Sequence, residues 1–359
     1  MDAVAAARLL ITAPLNALCF AAAAVVAVAM QPRFDITKYR PAAAKTPYAR
    51  PVDVGGFSRI DGELHFDKRA LRRYRAPRLP DSLATGYSDF VPRRDDKDAA
   101  EQCLLAAVER YEQKASANFV TYRNNLNKLL ATLHCPNDDW CIGVRRLDGD
   151  NRWLLRVRDT PRRREEEGNQ SDAQKLQSFF GYRFEALCTG HEPAKPIDAN
   201  DEYVGMFNCK LGEHRLAVAA EIDCADDAGT YIELKTNKLL ASKRLVGTFE
   251  RFKMFKFWVQ SYLVGTARVV VGFRDEDELQ KVQAFDTLEL PGLAAAGAKG
   301  RPSWRPQACL GFADAVLTWL RDSLQAADGE AFSITYDPDA RAISFARDGA
   351  DSAKRRRRG

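Results

Sequence analysis

Leu216-Ala217-Val218-Ala219-Ala220-Glu221-Ile222-Asp223-Cys224 and Thr230-Tyr231-Ile232-Glu233-Leu234-Lys235 decide how this sequence is read. Each run is apolar, with charges at alternate positions near its end, the pattern of a strand. Successive strand side chains point to opposite faces, so Glu221 and Asp223 project together, as do Glu233 and Lys235. Paired as a hairpin across the short connection Cys224 to Gly229, the two strands would gather three carboxylates and one ammonium in a small volume. Neighbouring carboxylates repel one another unless a cation neutralises them, which is the reason to expect bound divalent metal. Oxygen-only ligands favour Mg2+ or Mn2+ over zinc, and two such ions would clamp the attacking and leaving oxygens of a phosphoryl displacement. Lys235 would orient the attacking water or offset developing negative charge. An isolated Glu-x-Asp or Glu-x-Lys is more often the wet face of a half-buried sheet, so the reading needs further members.

Two candidates lie outward from these runs. Glu185 ends Gly181-Tyr182-Arg183-Phe184-Glu185, inside a segment read as a helix from Ser171 to Cys188. Gln260 lies on a strongly amphipathic helix read from Thr248 to Leu263, four residues after Lys256 and so on the same face. Phe252, Phe255, Val259 and Leu263 form the apolar stripe of that helix and are read as core, whereas an amide beside such a stripe needs a partner. Gly265 is placed to stop the helix before an apolar strand, Arg268 to Phe273.

The rest reads as alternating helices and strands without a regular βαβ period, which predicts a mixed α/β single domain, not a doubly wound sheet. Gln31 to Arg94, rich in Pro and Arg, reads as an irregular arm with an extended piece at Gly62 to Phe66 and a short basic helix near Lys68 to Tyr74. Helices are predicted at Asp95 to Lys114, Asn118 to Leu133 and Pro306 to Leu324. Strands are predicted at Trp140 to Val144 and Trp153 to Val157, joined by the turn Leu147 to Asp150, and at Val282 to Leu290, with a final pair around Phe332 to Phe345. Pro161 to Gln170 reads as a charged, solvated loop.

With 359 residues, 46% of them apolar, 22 Gly and 16 Pro, the composition excludes collagen-like, coiled-coil and largely disordered chains. Eight cysteines at irregular spacing, without CxxC, and only four histidines argue against a zinc ribbon or disulfide scaffold and for reduced thiols in a cytosolic or nuclear protein. His134-Cys135 with Cys141 is the one cluster suggestive of metal, and it is read as buried thiols beside a turn. Leu9 to Met30 carries no charge and is long enough to cross a bilayer. Pro14 and Asn16 interrupt it, so residues 1–30 are read first as an apolar extension dispensable to the fold, or as codons preceding a true start at Met30, and only second as a signal or anchor. A membrane is therefore not an expected partner unless that segment is real.

Five blocks together resemble the DXO-type decapping nucleases, including the fungal nuclear members that accompany a 5′-to-3′ exoribonuclease. They are FVTYRNNLNKLL (Phe119 to Leu130), GYRFEAL (Gly181 to Leu187), AEIDC (Ala220 to Cys224), YIELKT (Tyr231 to Thr236) and KFWVQSYLVG (Lys256 to Gly265), followed by VVVGFRD. Their order is the family's, and weaker similarity runs from about Gly55 to Trp319. The resemblance implies two mixed β-sheets flanked by helices, in a single catalytic domain spanning residues 31–348, with an acidic metal site in a pocket that admits an RNA 5′ end. It implies that Glu185, Glu221, Asp223, Glu233 and the main-chain carbonyl of Leu234 hold divalent metal, Mg2+ or Mn2+, as two ions. By the same resemblance Glu221, Asp223, Glu233 and Lys235 carry the catalysis, Lys235 and Gln260 meet substrate phosphates and nucleophile, and Arg123 meets the RNA backbone. The chain has Ala220 where relatives usually have Gly, Tyr122-Arg123-Asn124 where they have Trp-Arg-Gly, and Val204 at a position near the substrate often occupied by Cys.

The function implied is removal of NAD caps as the intact dinucleotide, of unmethylated or aberrant guanosine caps, and of 5′ triphosphates as pyrophosphate, leaving 5′-monophosphate RNA. Two other classes are weighed against it. A binding module that stabilises and stimulates the nuclear exoribonuclease would have no need of four carboxylates and the lysine. A DNA endonuclease with the same metal logic does not account for the blocks around Arg123 and Gln260.

Finally, 54 Lys and Arg against 49 Asp and Glu leave a formal charge of +5, and Lys354-Arg355-Arg356-Arg357-Arg358 supplies all of it. The excess therefore belongs to a basic tail, residues 349–359, which suits a nuclear address, with the cytoplasm as the other compartment considered. It is not the signature of an RNA groove.

Overall fold

The Leu216 to Glu221 run forms most of a strand, His214–Glu221, inside a large mixed sheet, and both of its faces are covered. Small side chains, Ala217, Ala219 and Ala220, let neighbouring layers approach it closely, and all three are buried. The computed structural model of the chain describes residues 32–111, 117–147, 152–192, 195–297 and 303–348. The apolar run Leu9 to Met30, the centre of the turn at 148–150 and the basic tail 349–359 lie outside them. Among the described residues no helix is long and apolar enough to cross a membrane.

Numbered along the chain, the described strands of the large sheet are ordered β1 (Arg33–Asp35), β15 (Ala342–Arg347), β14 (Ala331–Asp337), β6 (Trp140–Arg146), β7 (Trp153–Arg158), β5 (Phe119–Tyr122), β9 (His214–Glu221), β8 (Glu202–Leu211), β2 (Tyr48–Ile60) and β3 (Glu63–His65). The short strand β5 runs parallel to both of its neighbours, and the other pairings are antiparallel. A smaller sheet is ordered β10 (Cys224–Ala225), β11 (Tyr231–Lys238), β12 (Arg268–Asp275), β13 (Glu278–Asp286) and β4 (Asp81–Ser82), with β11 and β12 parallel. The helices are α1 (Lys97–Tyr111), α2 (Arg123–Ala131), α3 (Pro161–Gly168), α4 (Asp172–Thr189), α5 (Lys243–Thr248), α6 (Met254–Tyr262), α7 (Leu290–Gly297) and α8 (Pro306–Ala326). The expected fold class, mixed α/β with two mixed sheets and flanking helices, is the one observed.

The expected hairpin is not formed as drawn. Chain pairing with β11 begins only at Cys224, whereas Glu221 still pairs with Val204 in the large sheet. Ile222 donates its N–H to the Tyr203 carbonyl at 3.0 Å, so the chain leaves one sheet for the other across Ile222 and Asp223. Phe119–Tyr122 is a strand and not the first turn of a helix; its aromatic and β-branched residues fill a central slot, and the helix starts at Arg123. Most of Pro161 to Gln170 is helical, because Thr160 caps the N-terminus, Pro161 takes the first position and Arg162–Glu166 and Arg163–Glu167 pair one turn apart. The N-terminal arm contributes the long strand β2 to the large sheet, and Lys68 to Tyr74 is not helical. Val282 to Leu290 spans the end of β13 and the first residue of α7, not one strand.

Two elements bring the remaining blocks to the crossover. Helix α4 opens with a reciprocal cap in which Ser171 and Gln174 satisfy each other's backbone, and it packs on β11. It can do so closely because residue 272 is glycine: a Cβ there would stand 2.5 Å from the Phe184 ring. The amphipathic segment starts earlier than expected, as α5, passes through a π turn at Phe249–Lys253 and continues as α6. Gly265, at φ +71°, ends it in the left-handed conformation glycine tolerates.

Candidate active site

Glu221 and Asp223 stand at the divergence of the two sheets, and the other acidic positions reach them from separate elements. Glu233 and Lys235 come from β11, Glu185 from α4 and Gln260 from α6. The Asp223 carboxylate accepts the Leu234 N–H at 2.6 Å and lies 3.8 Å from the Lys235 Nζ, so the crossover is tied to β11 at the point where both sequence motifs act. Leu234 itself is buried.

Glu233 is 1% exposed and is the best-partnered carboxylate of the group. Lys235 and Gln260 both donate to its Oε1, and Arg123 reaches its Oε2 at 3.3 Å. Burial alone would raise its pKa; Lys235 and Arg123 outweigh burial and hold the carboxyl below its usual range. Burial opposes the Lys235 charge as well, but Glu233 and Asp223 overcome it and keep the ammonium protonated well into alkaline pH. Asp223 is pushed up to about 7, by burial first and then by Glu233. Burial also raises Glu185 well above the carboxylate range, with Asp223 and Glu221 adding to the shift.

Arg123 is 7% exposed, and its guanidinium is turned inward. Besides Glu233 it donates to the Gln260 carbonyl at 3.3 Å and the Glu221 carbonyl at 3.2 Å, joining β9, β11 and α6 beneath the site. Its neighbours line the adjoining cleft of about 680 Å3: the Tyr122 hydroxyl donates to the Ala100 carbonyl at 2.7 Å, Asn124 is exposed at the rim, and Val204 lies buried directly opposite Glu221. A second cleft of about 770 Å3, lined by both basic and acidic side chains, shares Arg93, Arg94, Asp95, Lys97, Asn124, Val157 and Arg158 with the first.

Sequence reading missed three members. Arg93 places Nη1 2.8 Å from the Glu221 Oε2 and Nη2 2.6 Å from the Glu202 Oε2, and Arg59 meets the Glu202 Oε1 at 2.8 Å. Burial is the main reason Glu202 is pushed up to about 7. Arg93 and Arg94 close the Pro- and Arg-rich arm, where no motif marks them. Glu202 left one clue: it precedes Val204 and Met206 at strand spacing on a buried face. The cluster His134, Cys135 and Cys141 is dispersed, with His134 on the Arg251 carbonyl at 2.8 Å and Cys141 beside the Thr335 hydroxyl at 3.4 Å.

The donor set suits a hard divalent cation: it is all oxygen, and besides burial the Glu185 carboxyl is raised by Asp223 and Glu221 and the Asp223 carboxyl by Glu233 and Glu221, the repulsion a cation relieves. Among the described residues no three acidic, His or Cys side chains close around one point as they stand. Glu221 is instead held by Arg93, and Glu233 by Lys235, Gln260 and Arg123.

Residues 49–357 match the profile of the RAI1-like PD-(D/E)XK nuclease family. The chain is 29% identical to the decapping nuclease RAI1 of Scheffersomyces stipitis, over 84% of this chain and 90% of that one. The structure of Scheffersomyces stipitis Rai1 in complex with (3′-NADP)+ and calcium ion superposes with a TM-score of 0.73 at 26% identity, covering 88% of this chain and 94% of that one. The fold is shared too with Candida albicans Rai1 in complex with pU5-Mn2+, at a TM-score of 0.76, 22% identity, and coverage of 92% and 96%.

Proposed function

The chain belongs to the RAI1-like PD-(D/E)XK nuclease family, and from that premise we propose that it is a divalent-metal-dependent decapping hydrolase of RNA 5′ ends. The observation that carries the reading is the convergence of Glu185, Glu221, Asp223, Glu233, Lys235 and Gln260, from four separate segments, beside a cleft that Glu221 and Gln260 line and whose walls carry both arginines and carboxylates. Its substrates in this reading are NAD caps, unmethylated or aberrant guanosine caps and 5′ triphosphates. Each is cut by water at a phosphodiester or phosphoanhydride bond to leave a 5′ monophosphate. The relative from Scheffersomyces stipitis, holding a dinucleotide and calcium, supports a site of this size and charge.

PD-(D/E)XK nucleases use divalent metal ions. Here Glu185, Glu221, Asp223, Glu233 and the Leu234 carbonyl would hold them, two in number, and the ions would neutralise charge on the phosphate oxygens. The protein's own groups do the rest. Lys235 is protonated, so it acts as a donor that orients water or a phosphate oxygen and not as a base. Gln260, fixed against Glu233, presents its amide beside that ammonium. Arg123 braces the carbonyls of Glu221 and Gln260 and, with Asn124, is the proposed neighbour of the RNA backbone. Tyr122 and Val204 shape the cleft wall that receives the leaving group.

We assign the product to a nuclear 5′-to-3′ exoribonuclease, which the family resemblance names as partner, and the protein to the nucleus, which the Lys354 to Arg358 run supports. The test is incubation of the full chain with NAD-capped, triphosphate and unmethylated-capped RNA in Mg2+ or Mn2+, identifying the released small molecule. Glu221→Ala and Asp223→Ala are expected to lower turnover at least about 100-fold while remaining folded. Undiminished turnover in both rules the reading out.

A further inference from the structure

Arg93 belongs to no sequence block, yet its backbone is fixed on both sides. Val91 exchanges hydrogen bonds with Ile197 and Ala199 at 3.0 Å each. The Arg94 N–H donates to the Asn200 side chain at 2.8 Å, and Asn200 returns a bond to the Pro92 carbonyl at 3.2 Å. Between these pins the Arg93 side chain is 40% exposed and bridges two carboxylates of different kind. Glu202 is 6% exposed and doubly held, by Arg59 and Arg93; Glu221 is 41% exposed and faces the acidic cluster. Arg59, Glu202, Arg93 and Glu221 thus form a chain of alternating charge whose inner carboxylate is buried and whose outer carboxylate reaches solvent.

We infer that Arg93 is a positioning residue that exchanges partners: without a divalent cation it holds Glu221, and when a cation engages Glu221 it stays anchored on Glu202 and turns its freed Nη1 to a phosphate of the RNA. The inference rests on the metal reading proposed above. Three observations carry it. Glu202 has a second arginine of its own, so Arg93 keeps a buried anchor whichever way Glu221 turns. A guanidinium fork can serve a carboxylate and a phosphate at once. Arg93 also lines both clefts, so the donor released is already where a backbone would pass.

The exchange makes metal and RNA respond in opposite directions, which a merely structural brace would not. Arg93→Gln removes the competitor for Glu221, so Mn2+ titrated calorimetrically into the metal-free full chain should bind about threefold tighter, the scale of a half-exposed ion pair. The same variant should bind a 5′-monophosphorylated oligouridine in Ca2+ about tenfold more weakly. Arg93→Lys, which keeps the charge, should leave the Mn2+ affinity near the wild-type value, and Glu202→Gln, which drops the anchor, should weaken Mn2+ binding by leaving Arg93 more firmly on Glu221. Unchanged or weakened Mn2+ binding in folded Arg93→Gln, or undiminished RNA binding, overturns the exchange. A wild-type protein that takes up no Mn2+, or takes it up equally well as Glu221→Ala, overturns the metal reading and the exchange with it.

Discussion

At the scale of single residues, the acidic site and a remote histidine illustrate how burial acts on charge with and without partners. Glu233 is deeply buried and stays ionised because an ammonium and a guanidinium face it; at Glu185 burial, Asp223 and Glu221 outweigh Lys235 and Arg72, and the carboxyl is pushed up instead. His214 belongs with the second kind. It is 1% exposed, its ring lies beside Phe119, and its Nε2 meets the Thr318 hydroxyl at 3.0 Å. Burial lowers its pKa from 6.5, against the opposing pull of Asp314, 3.7 Å away. The unfolded chain therefore binds the proton first as pH falls. Stability from neutral His214 is fully present above the unfolded value and is lost as pH drops below 6.5 through the folded one. His214→Gln, which keeps a polar partner for Thr318 but cannot be protonated, should flatten the fall in urea midpoint between about pH 7 and 5. Parallel curves for the two proteins would show that His214 takes no part in the acid response.

At the scale of elements, what brings Glu185 to the site is a missing methyl group. Phe184 rests on Gly272, and the next residue of α4 is Glu185. Gly272→Ala puts a Cβ within 2.8 Å of both Phe184 and Leu279, side chains that are fully buried and have nowhere to retreat. Overpacking of this kind costs about 1–3 kcal/mol, to be read as a lower denaturant midpoint with an unchanged slope. Because the displaced helix carries Glu185, turnover should fall more than the loss of stability alone explains; a variant with wild-type midpoint and turnover would mean that α4 is not positioned by this contact. The Gly-Phe-Arg block was legible in sequence, but this reason for its glycine was not. The same division runs through the chain. Glu221 with Asp223, Glu233 with Lys235, and the Gln260 helix were readable because each is a pattern inside one segment. The separation of β9 and β11 into two sheets, the parallel slot that makes Phe119–Tyr122 a strand, and the Arg59-Glu202-Arg93 chain depend on which segments meet, and no local period records that.

At the scale of the whole molecule, the site is also a joint. Its acidic members come from α4, the end of the large sheet, the crossover and β11, so a cation bound there would tie the two sheets together as well as serve the chemistry. The chain's own cations also span it: Arg123 reaches Glu233 in one sheet and the Glu221 carbonyl in the other, and Lys235 of β11 reaches Asp223 of the crossover. A ligand that binds only the folded state stabilises it by mass action, about 2.7 kcal/mol at a hundred times its Kd. Mn2+ or Ca2+ added to the chelator-treated protein should therefore raise the unfolding temperature by several degrees, increasing with metal concentration and with no saturation at the temperature midpoint. Ca2+ is the more telling probe, since stabilisation can then be followed whether or not hydrolysis occurs. Glu221→Ala and Asp223→Ala should lose the metal-dependent increment, Asp223→Ala from a lower metal-free midpoint because the Leu234 N–H loses its acceptor. An increment that persists undiminished in both variants would place the cation elsewhere on the protein, and with it the joint.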